Sequence, residues 1–588
     1  MRPERGVALV VFAVVFAAIW LLACSGASDR ASSDAGRLPV TEASADGGIA
    51  GDGTTAAGDG GRDASADAPD DSAATFDGGT TAPALALLAV SSPAQGGPVA
   101  VELTPPFSPS IHDYAVRCAA GPNLFTIAVT AATGSESLLV QPVPSPSLPS
   151  QSLTVQVNEN QAVVAAATNP AGTEEYWVRC LPHDFPQIAW TPHPAAGTPP
   201  PGYYLVGTAL PTTSGCYAMV LDGNGVPVWY TPAQAVDGWC VFDVDAVVPG
   251  ALTFDSLVDE PTAFELHQLS PLATTRIAPN GLNTDLHELR LLANGDYLVI
   301  STPLQPGIDV TGMQVPLPEG GVETMSGPQT IMACDLVEFR PDGSVVWTWT
   351  ATDHFDAVAD SVAPELAPYG PAGTTVVLDP FHCNSIDVDP SSGNLLVSAR
   401  EMDSVFYVER STGRVLWKMG GASASKDGAT YVSVADPFAL QHDARLQPDW
   451  SPECGGSGQI SLFDDEVPGL PAAARAVVYD VAVGAGDGGS LGDGGCPDGG
   501  TTPGTGTVEW KYEGPAPSTA MGSFRISADG SRVVGWGLAS DAAFTEVDGS
   551  GNDLLDVAFT DGNTTYRAIK VPLATFDLGL LRSTAGLP

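Results

Sequence analysis

A glycine-containing turn that leads into a short strand ending in tryptophan recurs through the last two thirds of the chain. Asp222-Gly-Asn-Gly-Val-Pro-Val-Trp229, Pro341-Asp-Gly-Ser-Val-Val-Trp347, Ser411-Thr-Gly-Arg-Val-Leu-Trp417 and Gly504-Thr-Gly-Thr-Val-Glu-Trp510 follow the pattern, and Val547-Asp-Gly-Ser-Gly-Asn-Asp-Leu-Leu555 is a degraded fifth copy. Most copies follow an apolar run, such as Leu336-Val-Glu-Phe339 or Val405-Phe-Tyr-Val408, so each reads as a β-hairpin. A second turn type interleaves with the first, at Ala293-Asn-Gly-Asp-Tyr-Leu-Val-Ile300, Ser392-Gly-Asn-Leu-Leu-Val397 and Ala528-Asp-Gly-Ser-Arg-Val-Val534. Two alternating hairpin types predict four-stranded blades stacked radially, a β-propeller over residues 188–588. Six blades are favoured, although spacing alone also admits five or seven. A β-sandwich array is the alternative, and it leaves the repeated Trp-ended hairpin without a reason. The Gly- and Asp-rich stretch 484–506 reads as an insertion that splits one hairpin, not as a calcium-binding repeat.

The start of the chain has the pattern of an export signal. Arg2 and Arg5 precede an apolar run from Val7 to Leu22, which ends in Leu21-Leu22-Ala23-Cys24. That ending resembles a bacterial lipobox, and the resemblance implies cleavage before Cys24, lipidation of its thiol, and a membrane contact made through the lipid alone. The other readings are an ordinary signal peptide or a single anchor helix. Residues 25–83 are rich in Gly, Ala and Asp with one aromatic, Phe76, too little apolar surface to offset ordering entropy. As a flexible coil this tether would span roughly 40–45 Å. The expected location is the periplasmic or outer face of a bacterial membrane, most naturally the outer membrane.

Residues 84–185 alternate apolar and polar in short runs such as Leu124-Phe-Thr-Ile-Ala-Val129 and predict a small antiparallel β domain. The stretch Leu103-Thr-Pro-Pro-Phe-Ser-Pro-Ser-Ile-His-Asp-Tyr114 resembles the cadherin-like sandwich modules of bacterial surface proteins. Without Cys24 there remain eight cysteines: Cys118, Cys180, Cys216, Cys240, Cys334, Cys383, Cys454 and Cys496. An even number in an exported chain points to disulfides, and sequential pairing is expected, with Cys118–Cys180 and Cys216–Cys240 foremost. The formal net charge of −45 excludes nucleic acid as a partner, because phosphate binding needs a basic face.

Three of the eight histidines stand where an innermost blade strand would begin. They are His287 in Asp285-Leu-His-Glu-Leu-Arg290, His382 in Phe381-His-Cys-Asn-Ser-Ile-Asp387 and His442 in Leu440-Gln-His-Asp-Ala-Arg445. Inner strand starts converge on the central channel, so these residues can meet there. Arg400 follows Val397-Ser-Ala399, an odd place for a guanidinium unless it faces a polar cavity. His112, His183, His193, His267 and His354 have no such context and read as surface or loop residues.

The segment 381–419, with Phe-His-Cys-Asn-Ser-Ile-Asp, Ser-Ala-Arg-Glu and Gly-Arg-Val-Leu-Trp-Lys-Met, resembles bacterial arylsulfate sulfotransferases. So does Phe438-Ala-Leu-Gln-His-Asp-Ala-Arg445, followed by Ile460-Ser-Leu-Phe-Asp-Asp465. The similarity spans roughly 188–588. It implies an exported propeller enzyme, often a homodimer, which moves a sulfuryl group from a phenolic sulfate ester to a phenol acceptor without a nucleotide donor or any cofactor. By the same resemblance His442 is the nucleophile that becomes a sulfohistidine, and His287, His382 and Arg400 support catalysis. Asn384 matches a substrate-binding asparagine, and Ser518 and Thr519 are loose counterparts of the family's threonines. A short-range disulfide just before the nucleophile, expected of the family, is missing.

The chemistry of these residue types agrees. Sulfuryl transfer develops charge on the leaving oxygen, and fixed cationic donors stabilise it. A histidine nucleophile must be neutral, which a nearby arginine promotes, and one of His287 or His382 would serve as acid and base. Two other readings stand beside this one. The first is a non-catalytic propeller that binds ligands or partners at the cell surface. The second is a zinc-dependent hydrolase using the three histidines, which a neighbouring Arg400 disfavours, so no metal is expected.

Overall fold

In the computed structural model residues 82–587 are described, apart from 94–96, 211–212, 258–261, 318–319, 370–374, 424–425, 466–473, 485–503, 515–517 and 540. The leader with Cys24, the tether up to residue 81, and the centre of the insertion with Cys496 lie outside the described residues.

The first domain is a β-sandwich. One sheet contains Leu85–Ser92, Val99–Val101, Asn123–Ala131 and Ser150–Val157, and the other Asp113–Arg117, Glu136–Gln141, Ala162–Asn169 and Gly172–Leu181. Asn123–Ala131 and Ser150–Val157 alternate as the sequence predicts, whereas Asp113–Arg117 and Ala162–Asn169 are buried on both faces and Asp113–Arg117 runs parallel, not antiparallel, to Gly172–Leu181. Leu85, Ile127, Leu139, Val157 and Tyr176 meet in one core between the sheets. The sandwich is fixed to the rest of the chain by polar contacts: Arg582 pairs with Asp113 at 2.6 Å, and Arg117 donates to the carbonyls of Phe185 and Pro186, each at 2.6 Å.

Residues 188–587 form a six-bladed β-propeller. Blade 1 joins Tyr203–Gly207, Cys216–Leu221 and Pro227–Ala233 to the C-terminal strand Ala568–Val571, which is its innermost strand. Blade 2 is Phe242–Asp245, Ala251–Asp255, Phe264–Leu269 and Leu272–Ile277, and blade 3 is Leu289–Leu291, Tyr297–Ser301, Asp335–Phe339 and Val345–Thr350. Blade 4 is Cys383–Val388, Leu395–Ala399, Ser404–Val408 and Val415–Met419, and blade 5 is His442–Leu446, Ser457–Asp464, Arg475–Ala482 and Gly504–Glu513. Blade 6, Ser523–Ile526, Arg532–Gly535, Phe544–Val547 and Asp553–Phe559, receives Ile188–Pro192 as an outer fifth strand. Strand Thr430–Val434 pairs with the outer strands of blades 4 and 5 and fuses them into one nine-stranded sheet.

Each pair of neighbouring blades shares an apolar cluster, and Leu205 with Leu252, Leu298 with Ile386, and Phe463 with Phe524 are examples. Full burial of such a side chain stabilises the fold by about 1.5–3 kcal/mol. The Trp-ended hairpin is the outer hairpin of blades 1, 3 and 4, and its degraded copy is that of blade 6. In blade 5 the hairpin is split by the insertion, yet Arg475–Ala482 and Gly504–Glu513 pair across it as expected. The second turn type is the inner hairpin of blades 3, 4 and 6. Blade 2 carries neither signature, since its outer strands turn directly at Ser270-Pro271.

Disulfides Cys118–Cys180, Cys216–Cys240 and Cys334–Cys383 follow the sequential order, and Cys454 is disulfide-bonded as well. One histidine set aside as surface is not so: His267 is buried in the third strand of blade 2, its ring stacked on Phe254 at 4.6 Å. Among the described residues no helix is long and apolar enough to cross a membrane.

Two long connections, one within blade 3 and one between blades 3 and 4, build an additional sheet. Its strands are Leu304–Asp309, Pro328–Met332, Thr375–Asp379 and Glu365–Tyr369. Through Glu365 and Asp379 this accessory sheet reaches His382, at the start of blade 4.

Candidate active site

The three histidines emerge where inner strands begin. His287 lies two residues before Leu289–Leu291, His382 immediately before Cys383–Val388, and His442 opens His442–Leu446. Their rings share one pocket: His287 is 5.2 Å from His382 and 6.3 Å from His442, centroid to centroid. The ring of Tyr566 packs at 5.6 Å from His287 and completes the wall. His382 has a φ of 48° and Asp443 a φ of 57°, a left-handed backbone that costs non-glycine residues on the order of 1–3 kcal/mol. Surrounding bonds must hold both in place. The amide of His382 donates to Asp379, and disulfide Cys334–Cys383 anchors the next residue. This disulfide adjoins His382, whereas the family resemblance leads one to expect a disulfide just before His442.

Each imidazole has a carboxylate at Nδ1, and the partners differ. His442 Nδ1 is 2.6 Å from Asp465, and both groups are buried. His287 bonds Asp285 through Nδ1. His382 Nδ1 lies 3.0 Å from Asp379 and 3.3 Å from Glu365. Burial, then the cation of Arg400 and the other two histidines, hold the pKa of His442 well below the ordinary histidine value. Burial also lowers His287. Burial pulls His382 the same way, but Asp379 and Glu365 outweigh it and raise His382 well above the ordinary value. The pocket therefore pairs a neutral, buried imidazole with an imidazolium.

Arg400 caps blade 4 from the turn after Leu395–Ala399. It pairs with Glu401, lies 3.4 Å from Glu365, and donates to the carbonyl of Thr519 at 3.2 Å. Burial lifts Glu401 to about 8 despite Arg400 beside it. Thr519 thus meets Arg400 through its backbone, and its side chain is exposed. Ser518 is buried, and its hydroxyl donates to the carbonyl of Ala520. Asn384 is fully buried, and its amide donates to the carbonyl of Gln441 at 2.7 Å, the residue before His442. Gln441 in turn donates to Ser398, Ala399 and Ser404. Asn384 thereby fixes the backbone that aims His442.

Beneath the imidazoles lies a buried ionic network that sequence reading missed. Asp443 accepts from Arg445 and Arg525, and Arg445 also pairs with Glu288 at 2.6 Å. Arg567 pairs with Asp243 at 2.6 Å and Glu288 at 3.1 Å, and donates to the carbonyl of Asn384 at 2.7 Å. All six blades contribute a group here, so the network locks the inner strands together. Its signal was present: Asp443 and Arg445 alternate on the short strand that His442 opens, and Arg567 directly precedes Ala-Ile-Lys-Val571.

The three imidazoles do not converge as a metal-ligand set. Among the described residues the cluster with ligating atoms within 4.8 Å of one another is Glu365, Asp379 and His382, and it already faces the Arg400 cation. What the arrangement offers is a buried imidazole held toward its neutral form next to cationic donors, a setting suited to an anionic group.

Residues 283–482 match the arylsulfotransferase (ASST) family, a segment that contains all three histidines, Asn384, Arg400 and Asp465. No curated protein matches the chain. Among solved structures, a protein of unknown function from Bacteroides caccae is similar at 11% identity over 63% of this chain and 99% of its own, with a TM-score of 0.33. A nidogen/laminin complex aligns at 9% identity over 63% and 97%, with a TM-score of 0.31. An auxiliary nutrient binding protein from Bacteroides thetaiotaomicron VPI-5482 aligns at 10% identity over 75% and 95%, with a TM-score of 0.25.

Proposed function

We propose that this chain, whose arylsulfotransferase segment spans the three histidines, transfers a sulfuryl group from a phenolic sulfate ester to a phenol through a sulfohistidine at His442. The observation that carries the reading is the convergence of neutral His442, cationic His382 and Arg400 in one pocket, around His287.

The donated Nδ1 hydrogen of His442 goes to Asp465, which leaves the lone pair on Nε2. Nε2 attacks sulfur and forms the N–S bond while the S–O bond to the phenol breaks. His382 gives its proton to the departing phenolate oxygen, so a neutral phenol leaves. The positive charge left on the sulfated ring is balanced by Asp465. In the second half the acceptor hydroxyl gives its proton to His382, its oxygen attacks sulfur, and the N–S electrons return to Nε2. Arg400 holds the sulfonate oxygens, a contribution typically worth about 10²–10³ in rate. His287, kept neutral, donates or accepts a hydrogen bond without a change of charge. The Arg2–Cys24 leader and the acidic tether support an exported, lipid-anchored setting, in which a donor that carries its own leaving group replaces a nucleotide.

The test is incubation with 4-nitrophenyl sulfate and phenol. Nitrophenol release, with the sulfuryl group recovered on phenol, is expected for the wild type and absent in His442→Ala. Equal release from both proteins would sink the assignment.

A further inference from the structure

The accessory sheet places a carboxylate against both cations of the candidate site. Glu365 reaches Arg400 at 3.4 Å with one oxygen and His382 at 3.3 Å with the other. The side chains of Arg400 and His382 are 12% and 23% exposed and that of Glu365 is 41% exposed, so the carboxylate sits on the solvent side of both cations. An anion arriving from solvent meets this position first. The other carboxylates around the cations, Asp379, Glu401 and Asp285, are more deeply buried and cannot be exchanged with solvent in the same way.

Glu365 is also held against its own repulsion. Its cross-strand partner in the accessory sheet is Asp379, and both face His382. Like charges directly opposite on adjacent strands destabilise a sheet, and here the cations between them compensate.

We propose that Glu365 is a resident surrogate anion: it caps the Arg400–His382 seat in the empty enzyme and is displaced when a sulfonate enters. This rests on the transferase reading for the identity of the anion. Entry is then an exchange of one anion for another. The two cations stay oriented between turnovers, and the swing outward relieves the Glu365–Asp379 repulsion. Glu365 is a specificity-setting residue by this account, trading anion affinity for order in the empty site.

Glu365→Gln keeps the shape and removes the charge, and Glu365→Ala removes the competitor altogether. Both variants should bind inorganic sulfate about tenfold more tightly than wild type by titration calorimetry, and the KM for 4-nitrophenyl sulfate should fall by a similar factor with no rise in kcat. A merely structural role would lower the melting temperature and leave sulfate affinity unchanged or weaker, which overturns the proposal. The two readings separate cleanly. Wild-type turnover with unchanged sulfate affinity in both folded variants defeats the cap alone. Tighter sulfate binding in the variants with no wild-type turnover supports the cap and defeats the transferase reading.

Discussion

Asp465→Asn isolates the tautomer of His442. The contact is 2.6 Å long between side chains 2% and 0% exposed, so neither water nor salt screens it. A hydrogen bond to a charged group is worth about 1.5–3 kcal/mol. The asparagine does more harm than its loss, because its amide can offer an N–H to Nδ1. That moves the ring proton to Nε2 and removes the lone pair that the proposed mechanism needs for attack on sulfur. Restoring the reactive tautomer sets one N–H against another, and together these effects cost about 3–5 kcal/mol, or about 10²–10⁴ in rate. The variant should fold normally, since the two side chains have the same shape. Rapid-mix release of 4-nitrophenol, together with intact mass to detect a sulfuryl adduct, measures the step directly. A rate within tenfold of wild type, with the adduct formed, would refute the tautomer argument.

The pocket's charges set a pH profile: His442 must be neutral, which holds above its lowered pKa, and His382 must be protonated, which holds below its raised pKa. Activity measured as kcat/KM should therefore be flat through the ordinary histidine range and fall on both sides, and a single limb centred near pH 6.5 would contradict the pairing. Arg567→Met leaves Asp243 and Glu288 with a lost buried partner, so unfolding in denaturant should show a loss of about 3–5 kcal/mol. A loss under about 1 kcal/mol would mean the remaining arginines hold the inner strands unaided.

The propeller was legible because its outer hairpins repeat a chemical necessity, a turn glycine followed by a large apolar residue that the neighbouring blade covers. Blade 2 escaped because its direct turn at Ser270-Pro271 needs no such glycine. Three imidazoles were legible from their place at inner strand starts. Their carboxylates were not. Asp465 lies 23 residues from His442, and Glu365 reaches the pocket from a sheet whose strands the reading did not foresee. Asn384 has a contact that its position in the sequence did not announce: its amide N–H donates to the Gln441 carbonyl, next to His442. The contact that Thr519 makes with Arg400 runs through its carbonyl, which any residue supplies, so its type in the sequence did not announce it.

The ring is closed at both ends of its own sequence: Ile188–Pro192 completes blade 6, and Ala568–Val571, directly after Arg567, completes blade 1. A nascent or clipped polypeptide lacking only its final 22 residues, 567 to 588, already holds every imidazole, yet has neither the closing strand nor the guanidinium that ties the centre together. Losing residues 567–571 therefore takes away, in one cut, the innermost strand of blade 1 and the cation that pairs with Asp243 and Glu288.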